Sequence, residues 1–149
     1  MLDKDMEIEE GLEEDVAAFL DIERKHMGHH LGIEFQKFYR NEVVATMPVD
    51  ERTHQPFGIL HGGASVVLAE TVASVGAWLN IDQQNKVAVG LEINANHIRS
   101  MRSGKLIATA EPVHRGSQTQ IWQIELCNES GNKICVSRCT LAVIDKPKK

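Results

Sequence analysis

Cysteine is scarce in this sequence and forms no pattern. Cys127, Cys135 and Cys139 are the only three, an odd set without CxxC spacing. They argue against a disulfide framework and fit buried, reduced thiols in a cytoplasmic protein. Positive charge is also short: 16 Lys and Arg stand against 21 Asp and Glu, a formal net charge of -5. Nucleic-acid binding needs a basic face, so that partner class is set aside, although a few local arginines can still hold a small anionic ligand. No clean membrane-length apolar run is present. Residues 62–79 approach that length but are interrupted by Ser65, Glu70, Thr71, Ser74 and Gly76, so they read as a core helix and no membrane partner is expected. The N-terminal stretch is acidic and lacks the basic start and apolar run of a signal peptide. Repeats, low-complexity tracts and Pro/Gly/Ser linkers are missing, as are a P-loop, a dinucleotide fingerprint and a Ser-centred nucleophile elbow.

What remains is a chain of 149 residues, 42% apolar and 25% charged, enough for one domain with a real core. Residues 7–27 show helical spacing at Leu12, Val16, Phe19, Leu20 and Glu23, with Gly28 as the break. Residues 31–38 and 42–49 read as two strands joined by a turn at Arg40-Asn41. A loop over 50–61 carries Pro56 and Gly58. Gly62 to Asn80 reads as a helix apolar on all sides but for one charge, and such a helix must be enclosed. Four strands follow, at 86–97, 104–114, 117–128 and 133–144, the first with Val87, Val89, Leu91, Ile93 and Ala95 alternating onto one face. Strands in succession without helical crossovers imply an antiparallel sheet. One sheet curled around one helix, an α+β fold, accommodates this order, and its open edges predict a homodimer joined edge to edge. Residues 1–30 form an acidic helical segment packed on a domain spanning 31–149.

The lone charge in the long helix is Glu70. On a helical wheel it shares a stripe with Gly62, Val66 and Ser74, so carboxylate and helix start face one side. The Gly62 and Gly63 N–H groups lack intrahelical partners and lie at the positive end of the dipole, a place to stabilise an oxyanion. Gln55 and His61 sit on the adjoining loop. A structural account competes: Glu70 meets Arg99 or Arg138 from a distant strand, the glycines merely start a helix, and Ser74 bonds a backbone carbonyl. His26, His29 and His30 straddle a helix end without carboxylates at ligand spacing, so no metal is assigned.

The stretch "MPVDERTHQPFGILHGGASVVLAETVAS", with "VGLEINANH" further on, closely resembles the hotdog-fold acyl-CoA thioesterases. It is most similar to the branch that holds Arthrobacter-type 4-hydroxybenzoyl-CoA thioesterase, the enterobactin-pathway proofreading thioesterase and 1,4-dihydroxy-2-naphthoyl-CoA thioesterase. The likeness spans about 31 to 144. It implies a long helix wrapped by an antiparallel sheet, active sites at a dimer interface, and a homotetramer of two dimers. By resemblance Glu70 is the catalytic carboxylate, the Gly62 amide polarises the carbonyl, Gln55 and His61 hold the thioester or water, and Ser74 orients the carboxylate or that water. His97, Arg99, Arg102 and Arg115 are the candidates for the phosphates of CoA, which is part of the substrate, so no cofactor is implied.

Glu70 then either attacks the carbonyl or activates water. Related sequences tend to read Asn-Ala-Thr-His-His-Arg-Pro where this one has Asn94-Ala95-Asn96-His97-Ile98-Arg99-Ser100, which bears on CoA contacts and acyl preference. Trp78 either narrows an acyl pocket or packs in the core. The expected activity is hydrolysis of an aromatic or medium-sized acyl-CoA. The alternatives are a non-catalytic acyl-CoA sensor using the same cleft, and a hotdog dehydratase acting on carrier-protein substrates.

Overall fold

A computed structural model describes residues 5–22 and 25–147. Its elements run β1 (Glu7–Ile8), α1 (Glu13–Leu20), α2 (Met27–Leu31), β2 (Glu34–Tyr39), β3 (Glu42–Pro48), α3 (Gly62–Trp78), β4 (Lys86–His97), β5 (Lys105–Arg115), β6 (Thr119–Asn128) and β7 (Lys133–Asp145). The strands form one sheet of seven in the order β1-β2-β3-β5-β6-β7-β4. All neighbours are antiparallel except β1, which lies parallel to β2 through Glu7–Lys37 and Ile8–Phe38. No helix among the described residues is long and apolar enough to cross a membrane.

The sheet wraps α3, whose Leu68, Ala69, Val72, Ala73 and Ala77 are fully buried. Small residues on the helix allow close approach. Gly76 is the tightest point, where a Cβ would lie 2.7 Å from two ring carbons of the buried Trp122. A mid-helix glycine costs about 1 kcal/mol relative to alanine, and here it admits an indole. That indole donates to Gln120 Oε1 at 2.9 Å, and the Gln120 amide donates to the Ala77 carbonyl at 3.4 Å, tying β6 to the last turn of α3.

The N-terminal reading needs correction. In place of one helix over 7–27 there is a two-residue strand, a turn, the eight-residue α1 and the short α2. Gly11 adopts a left-handed φ of 85°, which ends any continuation between the β1 pairing and α1. The helical spacing holds within its own stretch: Leu12 and Val16 are buried, and Phe19 packs on the core. Glu23 lies outside the described residues. Gly28 sits inside α2, and the stop is Gly32, with φ 71° at the helix C-terminus. The strand expected at 31–38 begins three residues later because Leu31 belongs to α2.

β4 is corrected in its facing. Its register with β7 shifts between Gly90 and Glu92. This bulge reverses which residues look inward, as an extra residue in one strand must. Ala88, Ile93 and Ala95 pack on the core, while Val89 and Leu91 are exposed. β4 is also an edge of the sheet, with no strand on its outer side among the described residues.

Candidate active site

The loop before α3 is locked by its own hydrogen bonds. His61 is the N-cap: extended backbone, its carbonyl accepting from Ala64 and Ser65, and its Nδ1 accepting from the Gly63 N–H at 2.8 Å. An accepting Nδ1 leaves the ring proton on Nε2. These bonds engage three of the first four amides of the helix. The Gly62 N–H has no acceptor among the described residues. Gln55 closes a tight turn in which its side-chain Oε1 accepts from the Phe57 N–H and its own N–H donates to the Ile59 carbonyl at 2.8 Å. The carboxamide NH2 remains as a donor.

Gln55 and Gly62 line a cleft of about 310 Å³ together with Ser65, His97, Ile98 and Arg99. His97, at the end of β4, lies so close to the helix start that a Cβ at position 62 would stand 2.8 Å from its Nε2. Arg99 donates from Nη1 to the Lys133 carbonyl at 3.3 Å. The cleft therefore joins a free helix amide, a free amide NH2, an imidazole and a guanidinium, a set suited to oxyanions and phosphate.

Glu70 lies two turns further along α3, in a different cleft. At 1.5 Å per residue it is about 12 Å from Gly62 along the axis. The expectation that both border one hollow fails on the single chain. Glu70 and Ser74 line a larger, mostly apolar cleft of about 590 Å³ with Val67 and Val75 and, from the N-terminal segment, Phe19 and Met27. Neither Arg99 nor Arg138 pairs with Glu70, and its carboxylate has no ion-pair or hydrogen-bond partner among the described residues. The Thr71 hydroxyl is engaged by the Val67 carbonyl at 2.7 Å, whereas Ser74, one turn beyond Glu70, has no such bond among the described residues. Nearby, burial pushes the Cys139 thiol up to about 12, with the charges of Glu70 and Glu92 adding to it.

Of the other candidates, Arg102 is exposed, with its carbonyl paired to His54 Nε2 at 2.9 Å. Arg115 lies at the opposite end of α3, where its Nη1 donates to Asn80 Oδ1 at 3.1 Å and to the Arg40 carbonyl at 3.3 Å. On one protomer it is apart from His97 and Arg99. Trp78 is a packing residue, its ring centroid 5.5 Å from that of Phe19. Three features escaped sequence reasoning. Gly90 faces the Glu70 carboxylate, and only the motif "VGLEINANH" hinted at it. Ser65 is 1% exposed and its Oγ has no hydrogen-bond partner among the described residues. The N-terminal segment walls the Glu70 cleft.

A family model described as the thioesterase superfamily matches residues 57–135. A 1,4-dihydroxy-2-naphthoyl-CoA hydrolase from Escherichia coli is 48% identical over 132 residues, 89% of this chain and 88% of its own. A protein of the same name from Listeria monocytogenes is 48% identical over 118 residues, 79% of this chain and 95% of its own. The crystal structure of a mutant thioesterase from Pseudomonas aeruginosa superposes with a TM-score of 0.81 at 44% identity, covering 91% of this chain and 94% of that one. The match from the end of the helix-start loop through α3, β4, β5 and β6, with the same architecture in a solved thioesterase, means that this chain belongs to the hotdog-fold thioesterase superfamily, a family of thioester hydrolases.

Proposed function

We propose that this enzyme hydrolyses an acyl-CoA thioester with an aromatic or medium-sized acyl group, that Glu70 is its catalytic carboxylate, and that it works as a homodimer with shared sites. The observation that carries the reading is Glu70 itself, a carboxylate without a partner among the described residues in a mostly apolar cleft. An acid kept for stability on a mostly apolar helix would be expected to have a partner, and the half-buried Glu70 has none among the described residues. The two relatives named as 1,4-dihydroxy-2-naphthoyl-CoA hydrolases support a CoA thioester with an aromatic acyl part.

The chemistry follows from charge development. As general base, Glu70 takes a proton from water while the water oxygen bonds to the thioester carbon. The carbonyl electrons move onto oxygen, where the Gly62 N–H and the dipole of α3 stabilise them. Collapse breaks the C–S bond, and the departing thiolate takes the proton back. As nucleophile, Glu70 bonds to that carbon directly, expels the thiolate and leaves an anhydride that water opens. In both routes the roles assigned are that the Gln55 NH2 and the His61 Nε2–H hold the carbonyl or the water, and that Ser74 orients the carboxylate or that water; Gln55 lines the Gly62 cleft, while His61 is exposed beside it. His97, Arg99 and Arg102 lie on the Gly62 side, where they would meet the phosphates.

One chain holds these groups too far apart, and β4 supplies the remedy. It carries Gly90 beside Glu70 and His97 beside Gly62, seven residues apart, on an open edge. A second copy paired antiparallel along β4, with the two-fold near Ile93 and Asn94, would set His97 of one subunit against Gly90 of the other. The Gly62–Gln55 cleft of one chain would then meet Glu70 and Ser74 of its partner.

A thiol-release assay over a panel of acyl-CoAs tests the activity. Turnover of benzoyl-type thioesters is expected, with a loss of at least about 100-fold in kcat for Glu70→Ala, the scale for removing a principal catalytic group. A Glu70→Ala variant as fast as wild type would overturn the assignment. Light scattering on the active protein that gave a monomer mass would overturn the shared site.

A further inference from the structure

We infer that the N-terminal segment is the wall of an acyl chamber at Glu70, and that its Phe19 selects a flat aromatic acyl group. This rests on Glu70 being the hydrolytic carboxylate. The Glu70 cleft has two unlike sides. One is α3, which contributes the carboxylate and the Ser74 hydroxyl. The other is built from before the long helix: the apolar Phe19 and Leu20 of α1, Ile22, Met27 of α2, and Phe35 of β2, with the exposed imidazoles of His26 and His29 beside these five. None of these five lies within the residues that match the family model, so this side is supplied by a part of the chain outside that match.

The wall is rigid where it is aromatic. The Phe19 ring meets Phe35 edge-on at 5.5 Å between centroids and Trp78 at 5.5 Å, and Phe35 stacks on Phe38 at 4.9 Å. Phe38 is fully buried, so the cluster is anchored in the core. Phe19 and Phe35 therefore present fixed ring surfaces to the cleft. Aromatic rings favour an aromatic guest in offset or edge-to-face contact.

At the rim, Leu20, Ile22 and Met27 are left 39%, 49% and 63% exposed. Three apolar side chains around one mouth are what an apolar occupant would cover. A volume of about 590 Å³ also falls within the range of roughly 300–1,000 Å³ for small-molecule pockets. With an acid at one end and rings beside it, the cleft fits a planar acyl group whose thioester carbon lies at the carboxylate. A straight short chain would leave the aromatic wall untouched.

The test compares benzoyl-CoA with acetyl-CoA. Phe19→Ala should lower kcat/KM for benzoyl-CoA by roughly tenfold, the scale of losing one well-placed ring contact, and change acetyl-CoA by less than about twofold. Because Phe19 also supports the cluster, Met27→Ala and Ile22→Ala serve as surface variants. Each should lower the benzoyl-to-acetyl ratio by about threefold, the scale of a partial apolar contact, without moving Tm.

Equal falls for both substrates, or an unchanged ratio in all three variants, would overturn the inference. A second copy that filled the aromatic side of the cleft, rather than only meeting its Glu70 end across β4, would give the unchanged ratio. The same comparison is made by binding in a Glu70→Gln background. Should Glu70→Ala hydrolyse both substrates as fast as wild type, the assignment of Glu70 fails, while benzoyl-CoA still binding tighter than acetyl-CoA in a Phe19-dependent way would keep the chamber. Equal affinity for the two would overturn it.

Discussion

The Glu70 carboxylate lies directly against the backbone of Gly90, so close that a Cβ at position 90 would overlap Oε1. No other residue type leaves that space. Gly90 also sits where the β4 register shifts, and its φ is not left-handed, so it serves proximity and not an unusual turn.

Gly90→Ala should therefore act on the site and leave the fold intact. The methyl group displaces the flexible end of Glu70, and a carboxylate moved by about an ångström loses roughly 100-fold in kcat. Circular dichroism should remain that of wild type. Full activity in a folded Gly90→Ala protein would show that Glu70 need not occupy this position.

Ser65 gives a prediction of opposite sign. Its Oγ is buried and has no hydrogen-bond partner among the described residues. An unmatched hydroxyl costs on the order of 1–3 kcal/mol, so Ser65→Ala should raise stability by up to about 1 kcal/mol or leave it unchanged. Urea unfolding measures this. A loss greater than about 1 kcal/mol would mean that the hydroxyl has a partner in solution.

Glu9 links the N-terminal segment to pH. It accepts from the Arg40 N–H at 2.6 Å and pairs with the Arg40 guanidinium at 2.8 Å. The backbone hydrogen bond, opposed by partial burial and then aided by the guanidinium, holds its carboxyl below the ordinary value of 4.5. A depressed acid contributes stability that is complete above 4.5 and is lost as pH falls through the folded-state value. Hydrogen-exchange protection factors over residues 5–22, corrected for the intrinsic slowing of exchange in acid, should fall as pH drops below 4.5, ahead of those in β5, β6 and β7. Glu9→Gln should reproduce that loosening at pH 7. Unchanged protection in the variant would remove Glu9 as the tether.

The long helix was legible because its composition is extreme: seventeen residues with a single charge can only be wrapped. The hairpin at Arg40-Asn41 and the last three strands were legible from alternation and turn residues. The N-terminal segment was not, since a two-residue parallel strand has no periodicity and Gly11 gives no local sign that its φ will be positive. The bulge in β4 was equally hidden, because Val87, Val89 and Leu91 alternate as an inward face would. Within the site, Glu70, Gly62 and Gln55 could be named from residue type and neighbourhood. Their distribution between two clefts could not, because a helical wheel shows direction and ignores the rise along the axis. Gly90 and Phe19 escaped because each meets the Glu70 cleft from a distant part of the chain.

The short β1 has an effect out of proportion to its two residues. By pairing with Lys37 and Phe38 it covers part of the β2 margin and ends the sheet there in a two-residue strand, whereas the other edge among the described residues is the twelve-residue β4. A body with one sticky side can join a single twin and is then saturated, whereas one with two would string into filaments. With copies paired along β4 as proposed, strand-to-strand assembly would end at two wherever this short edge offers too little backbone for a further strand.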